Sequence, residues 1–551
     1  MQTQIGSNYL HPHQQVAVQW MMDRERDPIV SGGFLCDEMG LGKTYSTLGL
    51  LVNRPLDKTL LLCPKAVIGQ WAEAATDARI KVFTCVDNKW KCKNPQTQTE
   101  TSLYITNYDK LTNSKALFFS RTLTWNRMVL DEAHNIRNGA TKRYSVLKYI
   151  EASSKWMLTG TPIVNSPKDL TALMYLFNQG PGRVSNISHK DAKKFMYNYA
   201  LHRTMDMVRD TIALPSNVES STHSLDFHTT QEANFYRGVQ GRLMTQLQSL
   251  FDRYDAEARN LFLLLLLRLR QISVHPQVFI NSKRKKVPGF NCPDFSQEST
   301  KVRTLHALLQ EAYAANESHG WVVFCNFTDE ISVIRKRLES EAYIHEIHEY
   351  HGGLSDAQRQ EVIAASKKET PAGKQRVFIC QIKCGGTGLN LQHMDRVVFM
   401  SPWWTSAQMD QAIGRVQRMG QAKQVKVHYL VLREEEDVSM NVDRMMYHKV
   451  SEKKTLCEFI LQSSRHFVNL HDYRHDVDFV APADAPTYPF SQEVDTNALL
   501  PDQEENLEEA LYEDDANGEN GGYDANAENA NGEDGEPQQW QVIPQADEDP
   551  Q

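Results

Sequence analysis

The 551-residue chain has no run of 18 or more apolar residues, so its sequence predicts no membrane-spanning helix. Its greasiest stretch, Leu261 to Leu267, is seven residues long and leads into Arg268-Leu269-Arg270, the pattern of a buried helix. The N-terminus, Met1-Gln2-Thr3-Gln4, has no basic stretch followed by an apolar one, so no secretory signal is expected. Nine cysteines are scattered without a CxxC, and the closest pair, Cys380 and Cys384, reads as small core residues at a strand end. That spacing argues against a disulfide framework or a zinc module and for a reducing compartment. Basic residues are absent from Pro501 to Gln551, where 17 Asp and Glu stand. Without them, 60 basic residues face 52 acidic ones, so the formal net charge of -9 hides a body of +8. A basic body suits a polyanionic partner.

Between residues 30 and 165, short apolar runs alternate with helical patterns: Phe34-Leu35-Cys36, Leu60-Leu61-Leu62, Leu103-Tyr104-Ile105, Met128-Val129-Leu130 and Trp156-Met157-Leu158. Runs apolar on both faces read as buried strands of a parallel sheet with helical crossovers. A second set repeats the design: Trp321 to Phe324, Val377 to Ile379, Val397 to Phe399 and Val427 to Leu430. The expectation is an α/β chain with one lobe over 1–180, a strand-free helical insertion over 181–299, and a second lobe over 300–435. A helical brace over 436–475 and a disordered acidic tail over 476–551 complete it. The run Lys283-Arg284-Lys285-Lys286 near the end of the insertion fits a nuclear import signal, a DNA-backbone contact or a solvated loop.

Asp37-Glu38-Met39-Gly40-Leu41-Gly42-Lys43-Thr44 follows one predicted strand and opens a helix, the setting of a phosphate-binding loop. Glycines let the backbone curl so that its N–H groups and the new helix's positive end meet phosphate oxygens. Lys43 is expected on the β/γ-phosphates and the Thr44 hydroxyl on Mg²⁺. Asp37 stands where the strict pattern has glycine. Asp131-Glu132-Ala133-His134 follows a second strand. Asp131 is expected to hold Mg²⁺, and Glu132 to orient and deprotonate the attacking water. ATP and Mg²⁺ are the expected cofactors.

With Leu158-Thr159-Gly160-Thr161-Pro162, these motifs resemble a superfamily-two helicase. Gly385-Gly386-Thr387-Gly388-Leu389-Asn390-Leu391, Gln411 to Gln421, and Leu267 to Ile272 followed by His275-Pro276 resemble the SWI/SNF-type DNA translocases. The resemblance runs over about residues 8 to 460 and implies two RecA-like lobes. Leu10-His11-Pro12-His13-Gln14 and Pro402-Trp403-Trp404 are similar to the helicase-like transcription factor and lodestar branch. No Cys/His array accompanies them, which excludes the RING and ligase activity found in many members. The near-bare motor resembles compact virus-encoded members such as baculovirus global transactivators. Gln417 departs from the family's usual His, and Thr405-Ser406 from its Asn-Pro.

The resemblance implies that Gln14 reads the adenine edge and that Gly386 belongs to the nucleotide site. Arg415 and Arg418, three apart and so on one helix face, would reach the γ-phosphate from the second lobe. Thr159, Gly160 and Thr161 would couple the lobes. Positions implied to grip nucleic acid are Lys65, Trp71, Thr106 and Asn107 in lobe one, and Asn326, His351, Gly352, Thr387 and Trp404 in lobe two. The implied function is ATP-driven movement along double-stranded DNA in the nucleus (the host's, for a viral chain), acting on nucleosomes, histones or other DNA-bound proteins. A strand-separating DEAH-type helicase and a non-catalytic scaffold are the competing readings. The acidic tail has three: autoinhibitor, histone binder or solubiliser.

Overall fold

The computed structural model describes residues 1–475 except 29, 98, 113–123, 179–186, 212–217, 252–255, 386–388, 419–420 and 434–440. The acidic tail, and with it the disorder expected there, lies outside the described residues, as do Gly386 and Thr387. The chain opens with a small antiparallel hairpin, β1 (Gln4–Ile5) and β2 (Asn8–Tyr9).

Lobe 1 is built on eight strands: β3 (Gly32–Leu35), β4 (Lys58–Cys63), β5 (Lys81–Val86), β6 (Lys89–Cys92), β7 (Ser102–Asn107), β8 (Trp125–Asp131), β9 (Ala152–Leu158) and β10 (Ala200–Leu201). Their order across the sheet is β10-β3-β9-β8-β4-β7-β5-β6, parallel except for the final β5–β6 pair. Lobe 2 has six strands: β11 (Glu219–Leu225), β12 (Gly320–Cys325), β13 (Ile344–Tyr350), β14 (Gln375–Gln381), β15 (Arg396–Phe399) and β16 (Lys426–Leu432). Their order is β11-β16-β15-β12-β14-β13, parallel throughout. Central strands such as β3 and β12 are buried along their whole length, as apolar runs covered on both faces must be. Every apolar run read from the sequence falls on one of these strands.

The region 181–299 is not free of strands. β10 closes the lobe 1 sheet beside β3, and β11 closes the lobe 2 sheet beside β16. The sequence pattern hides β11 because Glu219-Ser220-Ser221-Thr222-His223-Ser224-Leu225 is an exposed edge strand with almost no apolar residues. Helices Thr230–Phe251, Ala256–Val274 and Pro276–Lys286 fill the rest. The Leu261–Leu267 run lies in the second of them, where Leu265, Leu266, Leu269 and Ile272 pack with Tyr236 and Phe279. After lobe 2, the helix Val442–Leu461 crosses back. Met446 packs with the helical insertion and Val450 with lobe 2, while Cys457, Ile460 and Leu461 enter the lobe 1 core. Arg465 then bridges Leu201, and the Tyr473 hydroxyl donates to Asp23 Oδ2 at 2.8 Å.

Lobe 1 buries one ionic knot. The Glu25 carboxylate, wholly inside, accepts from Arg127 Nε and Nη2 at 2.6 Å each, Arg54 Nε at 2.9 Å and Trp156 Nε1 at 2.9 Å. It pins the end of the first long helix, Pro12–Arg24, to β8 and β9. Removing one partner leaves a buried guanidinium uncompensated, which costs about 3–5 kcal/mol. Glu25→Ala is therefore expected to lower unfolding free energy by about that amount in chemical denaturation; a loss under about 1 kcal/mol, the size of an exposed pair, contradicts the role.

Candidate nucleotide site between the lobes

The loop after β3 turns through Gly40 and Gly42, whose φ values of 89° and 77° lie where a side chain is disfavoured, and then starts the helix Lys43–Asn53. Lys43 Nζ donates to the Asp37 carbonyl at 2.7 Å, folded against its own loop. Gln14 is buried behind the loop, its Nε2 donating to the Leu41 carbonyl at 3.1 Å. His13 Nε2 lies 2.9 Å from the same oxygen, and burial draws the His13 pKa down to about 4, so its ring is neutral.

Asp37 does not point at the loop's interior. It is fully buried and held by Arg203 through Nε at 2.7 Å and through Nη2. Arg203 also donates to the His13 carbonyl at 2.5 Å and the Phe467 carbonyl at 3.3 Å. One guanidinium thus joins the loop, the first long helix and the C-terminal segment. Around it, Glu38 N donates to the Arg203 carbonyl at 2.8 Å, and Met205 N donates to Glu38 Oε2 at 2.6 Å. Sequence reasoning missed Arg203. Its only signal is that Asp37 replaces a glycine, and a buried carboxylate needs a cation.

Asp131 ends β8 and Glu132 follows at φ 51°, a strained setting for a non-glycine residue that turns the chain sharply. Burial, then Glu132, raises the Asp131 carboxyl to about 6, while Trp71 and Lys43 hold it back. Glu132 Oε2 is buried without a hydrogen-bond partner. Two adjacent carboxylates close to Lys43 fit a hard divalent cation, which Asp131 and the Thr44 hydroxyl, next to Lys43 in the chain, would hold.

Lobe 2 closes the site. A methyl group in place of the Gly414 hydrogen would lie 3.4 Å from Met39 Cβ, and one on Gly40 would lie 3.8 Å from the Gln417 carbonyl, so the phosphate loop faces the arginine segment. Burial lowers the Arg415 pKa, Glu132 and Asp131 oppose that fall, and Arg418 adds to it, which places the guanidinium opposite the carboxylates. Arg418 Nη1 donates to the Leu389 carbonyl at 3.5 Å. The linking residues form a relay. Thr159 Oγ1 lies 3.1 Å from His134 Nδ1, and His134 Nε2 lies 3.5 Å from Gln411 Nε2 of lobe 2. Burial, followed by Arg137 and Lys43, pulls His134 down to about 3, so the relay is uncharged. Thr161 N donates to Thr159 Oγ1 at 3.2 Å, and Gly160 abuts Asp37 and Lys43.

The expected nucleic-acid positions divide. Lys65 and Gly352 are exposed and His351 half-buried at the carboxyl ends of β4 and β13. Thr106, Asn107 and Asn326 sit at the ends of β7 and β12 but are buried. Trp404 is half-buried, with the Arg270 guanidinium 4.7 Å from its ring, so the tryptophan pair meets the Leu267–Ile272 motif. Trp71 is buried, 2% exposed, and its Nε1 donates to Asp131 Oδ2 at 2.8 Å. In this structure the indole is engaged with the Asp131 carboxylate and not presented at the surface.

Both the Trp71 contact and the burial around Asn326 can be tested. A hydrogen bond to a charged acceptor is worth about 1.5–3 kcal/mol, so Trp71→Phe should lower the melting temperature and, well below it, cut kcat roughly ten-fold or more. Normal turnover removes Trp71 from the site. Glu330, beside Asn326, is buried; its Oε2 accepts from the Asn326 and Phe327 amides at 2.8 and 3.1 Å, and burial raises its pKa to about 7. A carboxyl raised on folding adds stability below its unfolded pKa and loses it as pH rises through the folded value. Glu330→Gln keeps the amide contacts, so it should flatten the fall in unfolding free energy between about pH 5 and pH 8. An unaltered slope contradicts this.

Residues 13–278 match the SNF2-related domain, and residues 300–420 match the helicase conserved C-terminal domain. The chain is 27% identical over 480 residues to the "Probable global transactivator" of Orgyia pseudotsugata multicapsid polyhedrosis virus, covering 80% of this chain and 89% of that one. It is 24% identical over 493 residues to the ISWI chromatin-remodeling complex ATPase ISW1 of Saccharomyces cerevisiae, covering 83% of this chain and 41% of that one. It is also 24% identical over 491 residues to the chromodomain-helicase-DNA-binding protein 1-like of Danio rerio, covering 84% and 45%. The chain thus spans less than half the length of these two relatives. Among solved structures, the Sulfolobus solfataricus SWI2/SNF2 ATPase core in complex with dsDNA matches 84% of this chain and 98% of that one, at 22% identity and a TM-score of 0.37. The chain belongs to the SNF2-type ATPases of helicase superfamily two and is an ATP-hydrolysing enzyme.

Proposed function

We propose that the chain is an ATP-driven translocase on double-stranded DNA that works in the nucleus, the host's if the chain is viral, and displaces DNA-bound proteins or remodels nucleosomes. The observation that carries the reading is the apposition of the Lys43 loop and the Asp131–Glu132 pair in lobe 1 with the Arg415 segment in lobe 2.

Lys43 and the amides of Gly40 and Gly42 bind the β- and γ-phosphates of ATP, and Gln14 stands by the adenine end. Mg²⁺, when bound with ATP through Thr44 and Asp131, supplies positive charge to the phosphates. Glu132 takes the proton of the attacking water. Arg415, with Arg418 beside it, donates to the γ-phosphate oxygens from lobe 2, where a planar guanidinium spreads transferring charge. Because this contact exists only when the cleft is shut, hydrolysis and release favour opening. The Thr159–His134–Gln411 relay carries the change from the γ-phosphate end to lobe 2. Lys65 in lobe 1 and the His351–Gly352 turn in lobe 2 grip backbone phosphates alternately, contacts that carry no sequence information. The viral transactivator and the yeast remodelling ATPase among the relatives support a nuclear, DNA-directed role.

ATP turnover measured without DNA, with single strands and with duplex is expected to rise most with duplex, without strand separation in a displacement assay. Arg415→Ala should lower kcat by about 10³-fold or more while ATP binding persists. Turnover indifferent to duplex contradicts the translocase; near-normal Arg415→Ala turnover contradicts the closing arginine.

A further inference from the structure

Lobe 2 has a second concentration of positive charge at the end of its sheet away from the nucleotide cleft. The lobe 2 residues that face lobe 1, Gln411, Gly414 and Arg415, follow the carboxyl end of β15. At the amino ends of β12 and β14, the segment after the helix Asp356–Ser366 folds over to leave a cavity of about 190 Å³. Lys367, Lys368, Arg376, Lys423, His319 and His393 line it, and no carboxylate among the described residues does.

The nearby carboxylates are engaged from behind. Asp395, 1% exposed, holds His319 Nδ1 at 2.5 Å, Arg396 at 2.9 Å and Lys423 at 3.7 Å. Glu317 holds His319 Nε2 at 2.8 Å, and Glu346 reaches Arg376 at 3.4 Å and His348 at 3.0 Å. Lys367 and Lys368 are exposed and have no carboxylate partner among the described residues. Arg376 is 3% exposed; its Nη groups donate to the Ser366 and Glu369 carbonyls at 3.0 and 3.1 Å and to the Lys368 carbonyl, while its Nε is buried without a hydrogen-bond partner. The crowding of like charge is felt by His393, which burial, then Lys367 and Arg376, draw down to about 4. An anion in the cavity would relieve that repulsion.

We propose that this cavity is a second anion site, taking a phosphate group on three lysines and Arg376. Its volume is below the roughly 300 Å³ at which pockets for drug-sized ligands begin, so it admits a phosphate or diphosphate and excludes a nucleoside. Two sources share that chemistry, a small phosphate compound and a backbone phosphate of a nucleic-acid segment other than the one at the cleft.

The test is calorimetric titration of pyrophosphate into the full chain carrying Lys43→Ala and Arg415→Ala, which strips two cations from the nucleotide cleft. One saturable event is expected. Adding Lys367→Ala and Lys368→Ala should weaken it about ten-fold or more, as loss of charge-assisted bonds does. Adding Lys89→Ala and Lys91→Ala instead, the same charge change on exposed β6, should leave it within about two-fold, since distant exposed charges are screened. No saturable event, or equal weakening by both pairs, overturns the site. Duplex DNA added at saturating pyrophosphate separates the sources: displacement identifies a backbone phosphate, and undisturbed binding a small phosphate compound.

Discussion

Asp131 and Glu132 stand side by side at the end of β8, half-buried, with Lys43, Arg415 and the Trp71 indole nearby to offset them. Bringing two carboxylates out of water together is unfavourable unless cations approach closely, and here the cations come from different parts of the chain. Lys43 arrives on the loop after β3; Arg415 arrives from the far lobe. The raised Asp131 pKa shows that the offset is incomplete in the protein alone. The site is therefore electrostatically poised for added positive charge. The closed arrangement of the lobes serves to deliver it.

A similar logic governs the loop itself. A phosphate loop needs a fixed backbone, yet its first residue here is an acid, Asp37. The protein fixes it from outside with Arg203, whose other hydrogen bonds reach the first long helix and Phe467. That guanidinium is fully buried and makes contacts with elements 166, 190 and 264 residues away in sequence. The shape of the nucleotide site thus depends on how the C-terminal segment docks on lobe 1.

Most of the sheet architecture was legible because buried parallel strands are apolar on both faces, as Leu60–Leu62 and Val322–Phe324 are. β5, β6, β10, β11 and β13 were not: β11 and β13 are edge strands that face water and carry Ser, Thr, His and Glu, and β5, β6 and β10 are short or lysine-bearing segments at the two ends of the lobe 1 sheet. The site divides the same way. Gly40, Gly42, Lys43, Asp131 and Glu132 lie in contiguous motifs whose spacing carries their chemistry. Trp71 and Arg203 act through partners 60 and 166 residues away, and nothing in their local sequence distinguishes a tryptophan on a ligand from one on a carboxylate. Asn326 stands on the strand end that the pattern implies, but its burial follows from the packing of Glu330 against its amide, a tertiary fact.

The path between the lobes constrains how they move. The outgoing chain is anchored at the phosphate loop: Cys36 N donates to the Leu201 carbonyl at 2.7 Å, and Glu38 and Met205 exchange contacts beyond it. It joins lobe 2 at Glu219, the first residue of β11. The returning chain is the helix Val442–Leu461. Its start is held in lobe 2 by Asp443, which accepts from Lys301 Nζ at 2.6 Å and Ser273 Oγ at 3.0 Å, and its end is buried in lobe 1 through Cys457, Ile460 and Leu461. The two lobes are thus tied on both sides: Met205 holds Glu38 on the outgoing side, and on the returning side one helix packs Val450 into lobe 2 and Cys457 into lobe 1. The outgoing connection and the phosphate loop therefore share the Met205–Glu38 hydrogen bond. Under the proposed function, that shared bond would couple nucleotide release to lobe separation, as a single ligand bridging both lobes requires.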